Sequence, residues 1–253
     1  MSSPLFSLDG KTAVVTGANT GIGQAMAVAL AAAGADVALV GRSAPDETEK
    51  MINHGGGKTA VVMADLSQAS VATDVITQAE AALGPVDILV NNAGIIRRED
   101  ALNFSESDWD DVMATNLKVP FFLAQAAAKS MVSGKRGGKI INVASLLSLQ
   151  GGIRVASYTA SKSGLAGLTR LLANEWAASG INVNAIVPGY IATNNTKALR
   201  ADVDRNRQIL ERIPAERWGE PADLGGAAVF LASSASDYVH GSLLPVDGGW
   251  MGR

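Results

Sequence analysis

Tyr158 and Lys162 stand at positions i and i+4 in the run Tyr158-Thr159-Ala160-Ser161-Lys162. On a helix that spacing puts both side chains on one face. The following residues support a helix, because Leu165, Leu168, Leu172 and Trp176 recur as an apolar stripe. A lysine cation beside a phenol favours the phenolate and draws its pKa from about 10 toward neutrality. A phenol tuned in this way takes a proton from a carbinol oxygen or returns it. Upstream, Ser145 closes the apolar run Ile140-Ile141-Asn142-Val143-Ala144. A hydroxyl at the carboxyl end of a strand faces the crevice where ligands bind in an α/β sheet, and there it can polarise a carbonyl oxygen. Alone, Y-x-x-x-K reads equally well as a surface pair on an amphipathic helix; the serine upstream turns the balance toward catalysis.

A second cluster lies near the start of the chain. Thr16-Gly17-Ala18-Asn19-Thr20-Gly21-Ile22-Gly23 follows an apolar run and opens a helix-length segment. Gly17 permits a sharp turn, Gly21 lets the backbone approach a pyrophosphate, and Gly23 lets helix and sheet pack closely. The helix N-terminus then aims N–H groups and a partial positive charge at the phosphates. The spacing is G-x-x-x-G-x-G rather than the commoner G-x-G-x-x-G. The second apolar run ends Leu39-Val40-Gly41-Arg42-Ser43, without the carboxylate that would bond the ribose hydroxyls of NAD. Asp36 stands at the start of that run, too early to serve. Arg42 could pair with the 2′-phosphate of NADP, stack on adenine, or sit solvated on the surface.

Positioning these groups requires a regular scaffold. Short, almost continuously apolar runs recur at Thr12–Val15, Val37–Val40, Ala60–Met63, Ile88–Val90, Lys139–Val143, Val183–Val187 and Leu243–Val246. Runs of that kind are strands covered on both faces of a parallel sheet. Helix-length segments alternate with them, at Gly23–Ala33, Val71–Leu83, Trp109–Val132, Tyr158–Ala178 and Asp223–Ser233. Strand and helix in alternation predict a doubly wound, Rossmann-like α/β fold of about seven strands. No linker, repeat or low-complexity tract divides the chain, so residues 1–253 are read as one dinucleotide-binding catalytic domain. The loosest stretches are Ser43–Lys58 and Thr193–Glu220. The second follows a late strand, where a long irregular segment reads as a lid over the ligand crevice.

Composition narrows the function classes. The 253 residues are 47% hydrophobic and 18% charged, enough for one large core. A net charge of −3 argues against a nucleic-acid or anionic-membrane surface. With no cysteine, disulfides, thiolate nucleophiles and zinc–thiolate sites are excluded, and two distant histidines, His54 and His240, predict no metal site. No signal-like leader stands at Met1–Gly10, and the longest apolar stretch, Ala25–Ala35, is shorter than the ~20 residues a bilayer needs. A cytoplasmic protein is the expectation.

These motifs resemble the short-chain dehydrogenase/reductase family, whose phosphate loop reads T-G-x-x-x-G-x-G. Ser145, Tyr158 and Lys162 match its catalytic set in type, order and spacing, and Asn116 in Ala114-Thr115-Asn116-Leu117 matches its helix asparagine. The resemblance implies hydride transfer between a nicotinamide and a secondary alcohol or ketone. It implies that Asn116 holds a water linking Lys162 to solvent; on its own, a mid-helix asparagine is equally a packing or kink residue. It implies that Asp65 contacts the adenine edge beside Leu66, although Asp65 also reads as a helix N-cap. Asn92, Ala93 and Gly94, after Asn91, would wall the adenine-ribose pocket. Pro188, Gly189, Ile191 and Thr193 would stand beside the nicotinamide, with Thr193 on its carboxamide. A homotetramer is the family habit.

Further segments, among them Ile96–Ala101, Gln150–Val155, Tyr190–Thr196, Ala232–Val239 and Val246–Trp250, resemble the sugar-acid dehydrogenases of that family. The implied substrate is a 3-deoxy-hexulosonate-type sugar acid. NAD is the cofactor this resemblance favours, while Arg42 keeps NADP open. Arg97, Arg98 and Arg154 follow strand ends, and arginine grips carboxylates bidentately. Each also reads as a surface or subunit-contact residue. Gln150 and Asn195 could bond sugar hydroxyls. The rivals are a relative acting on gluconate, a polyol or a 3-oxoacyl thioester, and a non-catalytic dinucleotide sensor. An acyl chain would want an apolar channel, and a sensor would not need an intact Ser-Tyr-Lys set.

Overall fold

The computed structural model describes residues 4–253. Among them, seven strands form one parallel sheet: β1 (Thr12–Thr16), β2 (Asp36–Gly41), β3 (Thr59–Met63), β4 (Val86–Asn91), β5 (Gly138–Val143), β6 (Ile181–Pro188) and β7 (Leu243–Val246). Their order is β3-β2-β1-β4-β5-β6-β7. The chain starts in the middle, works outward to β3, crosses back over β1 and then works outward to β7. The direction of travel reverses between β1 and β4, and it is there that ligands bind in open parallel sheets.

The helices are α1 (Gly21–Ala32), α2 (Asp46–His54), α3 (Ala72–Leu83), α4 (Glu106–Met113), α5 (Val119–Ser133), α6 (Ala156–Trp176), α7 (Lys197–Ala201), α8 (Val203–Leu210) and α9 (Gly225–Ala232). Side chains of β1 alternate between two cores. Val14 packs with Val75 and Ile76 of α3, Leu123 and Ala127 of α5, and Leu172 of α6. Ala13 and Val15 pack with Met26 and Leu30 of α1, Ile52 of α2, and Ala228 and Leu231 of α9. Both faces of β1 are therefore covered, and all five of its residues are buried. Burying aliphatic side chains at about 25 cal/mol per Å² of apolar surface is the main force holding the layers together.

The strands fall where the apolar runs predict them, each within about two residues of its expected bounds. Three differences concern helices. First, Ser43–Lys58 is not loose: it contains α2, whose Thr48 and Ile52 are buried. Secondly, the stretch expected as one helix from Trp109 to Val132 is broken. A π-helical turn, Ala114–Lys118, separates α4 from α5, and Pro120 stands in the first turn of α5. An inserted residue makes a π-turn, and proline lacks the N–H that would repair the ladder. Thirdly, Thr193–Glu220 is not irregular throughout, since it holds a 3-10 turn at Asn194–Thr196 and then α7 and α8. Its two feet are tied by Ala192 N–H to Gly219 O at 2.8 Å and Gly219 N–H to Tyr190 O at 2.9 Å.

A smaller third core lies under that segment. Ile209, Ile213 and Trp250 pack with Ala144, Leu146 and Val187, and Tyr190, Leu199 and Trp218 close its sides. Trp250 comes from the C-terminal tail. Its indole N–H donates to Gln150 Oε1 at 3.0 Å, and the Arg212 guanidinium lies 4.2 Å from its ring. The tail thus ties the loop after β5 to the end of α8.

Candidate active site

A cleft of about 740 Å³ opens at the carboxyl ends of the central strands. It is lined by Gly17, Asn19, Thr20, Gly21, Ile22 and Gly23 from the loop after β1, by Arg42 after β2, and by Asp65 and Leu66 after β3. Asn92, Ala93 and Gly94 after β4, Ser145 after β5, Tyr158 and Lys162 on α6, and Pro188, Gly189, Ile191 and Thr193 after β6 complete it. Residues expected to hold a dinucleotide and residues expected to do chemistry therefore share one wall-to-wall cavity.

The loop after β1 is built for close approach. Gly17 and Gly21 have φ of 64° and 59°, a region L side chains seldom enter. A Cβ on Gly23 would overlap the Gly17 carbonyl and the Asn92 amide. Thr20, the N-cap of α1, makes no side-chain cap, so the first N–H groups of α1 stay available at the cleft. A cradle that a methyl group would fill, beneath unspent N–H donors, fits a dinucleotide pyrophosphate. Thr16 fixes this loop to its neighbour: its hydroxyl donates to Val90 O at 3.2 Å and accepts from Asn92 N–H at 2.9 Å and Ala93 N–H at 3.0 Å. The Asn92 amide donates to Thr16 O at 2.9 Å. Asn19 bonds Ser43, joining the loop to the end of β2.

At the adenine end, Gly41 presents no carboxylate. Arg42 is exposed at the cleft rim and forms no salt bridge among the described residues. Asp65 accepts from Ser67 N–H at 3.1 Å. Its carboxyl is held below the usual range, first by the backbone and hydroxyl of Ser67 and in small part by Arg42. Asp65 lines the cleft, but the N-cap expectation does not hold: the helical turn after it is capped at Gln68 and α3 at Val71, and Asp65 instead closes a turn onto Ser67. Asp36 points elsewhere, 3.7 Å from Lys58.

At the chemical end, Lys162 is buried on α6 and donates to Val143 O at 2.6 Å. Its nitrogen lies 5.7 Å from the centre of the Tyr158 ring. Burial pushes its pKa down to about 8. Tyr158 goes the other way from the sequence expectation. Burial pushes the phenol up from 10, outweighing the pull of the Ser145 side chain and then of the Arg98 charge. Ser145 also accepts from Leu147 N–H at 3.2 Å, which fixes its hydroxyl at the strand end. Ser148 Oγ donates to Lys162 O at 2.7 Å, locking α6 to the loop after β5.

Asn116 sits in the π-turn, buried, and does not line the cleft. Its Oδ1 accepts from Ile95 N–H and its Nδ2 donates to Ile95 O, both at 2.9 Å, and Nδ2 lies 3.4 Å from Ser161 Oγ. The side chain thus straps the loop after β4 to α6.

Of the candidates for gripping a substrate, Arg97 and Asn195 line the cleft beside Ser145; Arg98, Gln150 and Arg154 do not. Gln150 is spent on Trp250. Arg154 pairs with Asp100 at 3.3 Å and has φ of 62°. Residues that the sequence reading did not single out include Thr48, Asp111, Thr115, Asn194 and Thr196. Thr48, wholly buried on α2, donates to Ala18 O at 2.7 Å and supports the phosphate loop from below. The others line the cleft. Asp111 carried a legible signal, being a carboxylate on the helix that follows two arginines; Thr48 carried none, because its helix was not seen.

Comparison with known proteins agrees with this geometry. A family model described as enoyl-(acyl carrier protein) reductase matches residues 17–251. The 2-dehydro-3-deoxy-D-gluconate 5-dehydrogenase of Escherichia coli (strain K12) is 59% identical over 248 residues, covering 98% of each chain. A solved structure from Agrobacterium tumefaciens, of a proposed 2-deoxy-D-gluconate 3-dehydrogenase with bound NADP, superposes with a TM-score of 0.95 at 61% identity, covering 99% of this chain and 100% of that one. A gluconate 5-dehydrogenase from Burkholderia cenocepacia, solved with NADP and tartrate, gives a TM-score of 0.93 at 38% identity, covering 99% of this chain and 98% of that one. Fold, motif order and these likenesses agree along nearly the whole length, and the chain belongs to the short-chain dehydrogenase/reductase family.

Proposed function

We propose that this chain is a dehydrogenase that reversibly oxidises a secondary alcohol of a 3-deoxy-hexulosonate-type sugar acid, the reaction class of 2-dehydro-3-deoxy-D-gluconate 5-dehydrogenase. The observation that carries the reading is the shared cleft, in which a dinucleotide cradle runs directly into the Ser145, Tyr158 and Lys162 set. The E. coli relative supports the substrate class.

The cofactor is a nicotinamide dinucleotide, which supplies a hydride acceptor or donor when bound. Gly17, Gly21 and Gly23 with the N-terminus of α1 would hold its pyrophosphate, and Asn92–Gly94 the ribose. Against the NAD that overall resemblance favours, the rim at Arg42 and Ser43 supports NADP. A guanidinium that forms no salt bridge among the described residues suits a 2′-phosphate, and no carboxylate stands at the end of β2 to repel one. The Agrobacterium and Burkholderia structures contain NADP.

Tyr158 carries the reacting proton: in reduction its phenol protonates the forming alkoxide, and in oxidation its phenolate takes the alcohol proton. Lys162, close to the ring, favours the phenolate electrostatically. Ser145 donates to the substrate oxygen as charge develops there. Asn116 holds the loop after β4 and the π-turn in register with α6, and the water-relay role stays with it as part of this proposal. An acyl thioester is disfavoured, because Arg97, Asp111, Asn194 and Asn195 make that end of the cleft polar. A homotetramer is part of the same reading; exposed Trp109 on α4 and Leu171 on α6 suit subunit contacts, and light scattering would measure the mass.

The test is formation of NADPH and NADH at 340 nm with 2-keto-3-deoxy-D-gluconate, D-gluconate and a neutral polyol, on the wild type and Tyr158→Phe. Turnover of the deoxy sugar acid that is lost in the variant supports the reading. Turnover that survives in Tyr158→Phe overturns the role of the tyrosine, and turnover of neutral polyols alone overturns the substrate class.

A further inference from the structure

Helix α2 turns one polar side chain fully inward. Thr48 is wholly buried, and its hydroxyl donates to Ala18 O at 2.7 Å. A second contact, to Asn19 O at 3.5 Å, is too long to compete for the one hydroxyl hydrogen. The same hydroxyl accepts from Gln24 Nε2, on α1, at 3.0 Å. Gln24 Nε2 also donates to Asn19 O at 3.3 Å. A carbonyl only accepts, so the Gln24 amide must face the loop with its nitrogen, and both of its hydrogens are spent there. Two side chains from two helices thus hold the consecutive carbonyls of Ala18 and Asn19. Thr48, Gln24 and Ala18 do not line the cleft, whereas Asn19 and Thr20 do.

A trans peptide unit is planar, and its C=O and N–H point opposite ways. Drawing the Ala18 carbonyl to Thr48 therefore turns the Asn19 N–H away from α2. Drawing the Asn19 carbonyl to Gln24 turns the Thr20 N–H in the same manner. Both donors leave the buried side of the loop, on residues that form the cleft wall. Among the described residues neither N–H donates to a protein acceptor. Free backbone donors just before a helix N-terminus suit phosphate oxygens. A flipped unit would instead present a carbonyl oxygen, a partial negative charge, where a phosphate must sit.

We infer that Thr48 is a positioning residue for dinucleotide binding: with Gln24 it sets the two peptide units so that the Asn19 and Thr20 N–H groups meet phosphate oxygens of the dinucleotide. The inference rests on the nicotinamide dinucleotide reading above. Two phosphate groups fit this chemistry, the pyrophosphate at the start of α1 and the 2′-phosphate of NADP at the β2 rim, where Asn19 bonds Ser43. Helix α2 belongs to the cofactor site on this account, although none of its residues lines the cleft.

The experiment measures Kd for NADP and for NAD by equilibrium dialysis on the wild type, Thr48→Val, Thr48→Ser and Gln24→Met. Melting temperature without dinucleotide, and kcat at saturating dinucleotide, are read beside it. Valine keeps the shape of threonine without the hydroxyl, so Thr48→Val should weaken dinucleotide binding on the order of tenfold. Thr48→Ser, which keeps the bond to Ala18, should restore most of it. Gln24→Met should show a smaller loss of the same kind, and it tests the strap by itself if Thr48→Val does not fold. The loss should fall on Kd rather than on kcat at saturation. A loss shared by NADP and NAD assigns the donors to the pyrophosphate, and a loss confined to NADP assigns them to the 2′-phosphate. Unchanged Kd in every variant that folds, whatever the melting temperatures do, overturns the inference. So does a Thr48→Ser as weak as Thr48→Val, or a fall in kcat as large as the fall in affinity. A wild type that binds neither NADP nor NAD overturns the dinucleotide reading itself, whereas a binding wild type with equally tight variants overturns only the role of Thr48.

Discussion

At Tyr158, burial and the neighbouring polar groups pull in opposite directions, and burial is the larger. The tyrosine is therefore a phenol at neutral pH, ready to donate. Reduction of the ketone should run well at neutral pH and fall as the phenol ionises on the alkaline side, while oxidation should climb with pH. Profiles of kcat/KM in the two directions check this, and parallel profiles would contradict it. Lys162 makes a separate prediction about stability. Its folded pKa of about 8 lies below the unfolded value of 10.5. Below pH 8 it is charged in both states, and its burial is costly. Between pH 8 and 10.5 the folded chain gives up the proton and the unfolded chain keeps it, so stability rises with pH in that window. Relative to Lys162→Met, the wild type should gain unfolding free energy between those limits, measurable by urea denaturation at stepped pH. At this scale the Ser145, Tyr158 and Lys162 constellation was legible, because spacing along a helix and position at a strand end decide it. The direction of the Tyr158 shift was not, because desolvation depends on what the rest of the chain packs around the ring.

Elements explain which parts of the scaffold tolerate change. Gly23, on the first turn of α1, faces the Gly17 carbonyl and the Asn92 amide. Gly23→Ala should push α1 away from β1. Dinucleotide affinity should fall by more than tenfold while the melting temperature drops, as read by calorimetry with and without NADP; a variant of full affinity would show that the cradle is looser than its geometry. Strands such as Ile140–Val143 were easy to read because both faces of the sheet are covered and their residues are apolar throughout. Helix α2 escaped notice because only Thr48 and Ile52 anchor it, too few for an apolar stripe. The π-turn at Ala114–Lys118 escaped for the opposite reason: apolar periodicity runs through it undisturbed. Only Pro120 hinted that the helix changes register, and the register change is what turns the Asn116 side chain toward Ile95.

Across the whole molecule, the C-terminal tail does the work of a clasp. Trp250 is 4% exposed and touches the loop after β5, the ring of Tyr190 and the end of α8. Trp250→Ala should cost on the order of 3–5 kcal/mol in urea unfolding, and the substrate KM should rise as α8 loosens. Trp250→Phe, which keeps the packing and loses the bond to Gln150, should cost about 1 kcal/mol. Equal stability in both variants would refute the clasp. This long-range arrangement left no mark in the sequence beyond an aromatic residue near its end, since the partners come from residues 150, 190 and 212. The sheet order has a consequence of another kind, for how the chain is made. β1 leaves the ribosome before the other six strands of this sheet and ends up at the centre, between β2 and β4. Until residue 91 has emerged, one edge of β1 has no partner, and the Thr16 hydroxyl has no Val90 or Asn92 to bond. A nascent chain that stalls after α3 therefore presents an open apolar edge of the kind that aggregates. Fragments ending at residue 83 should be protease-sensitive and bind chaperones, and those reaching past residue 95 should be the first to resist cleavage.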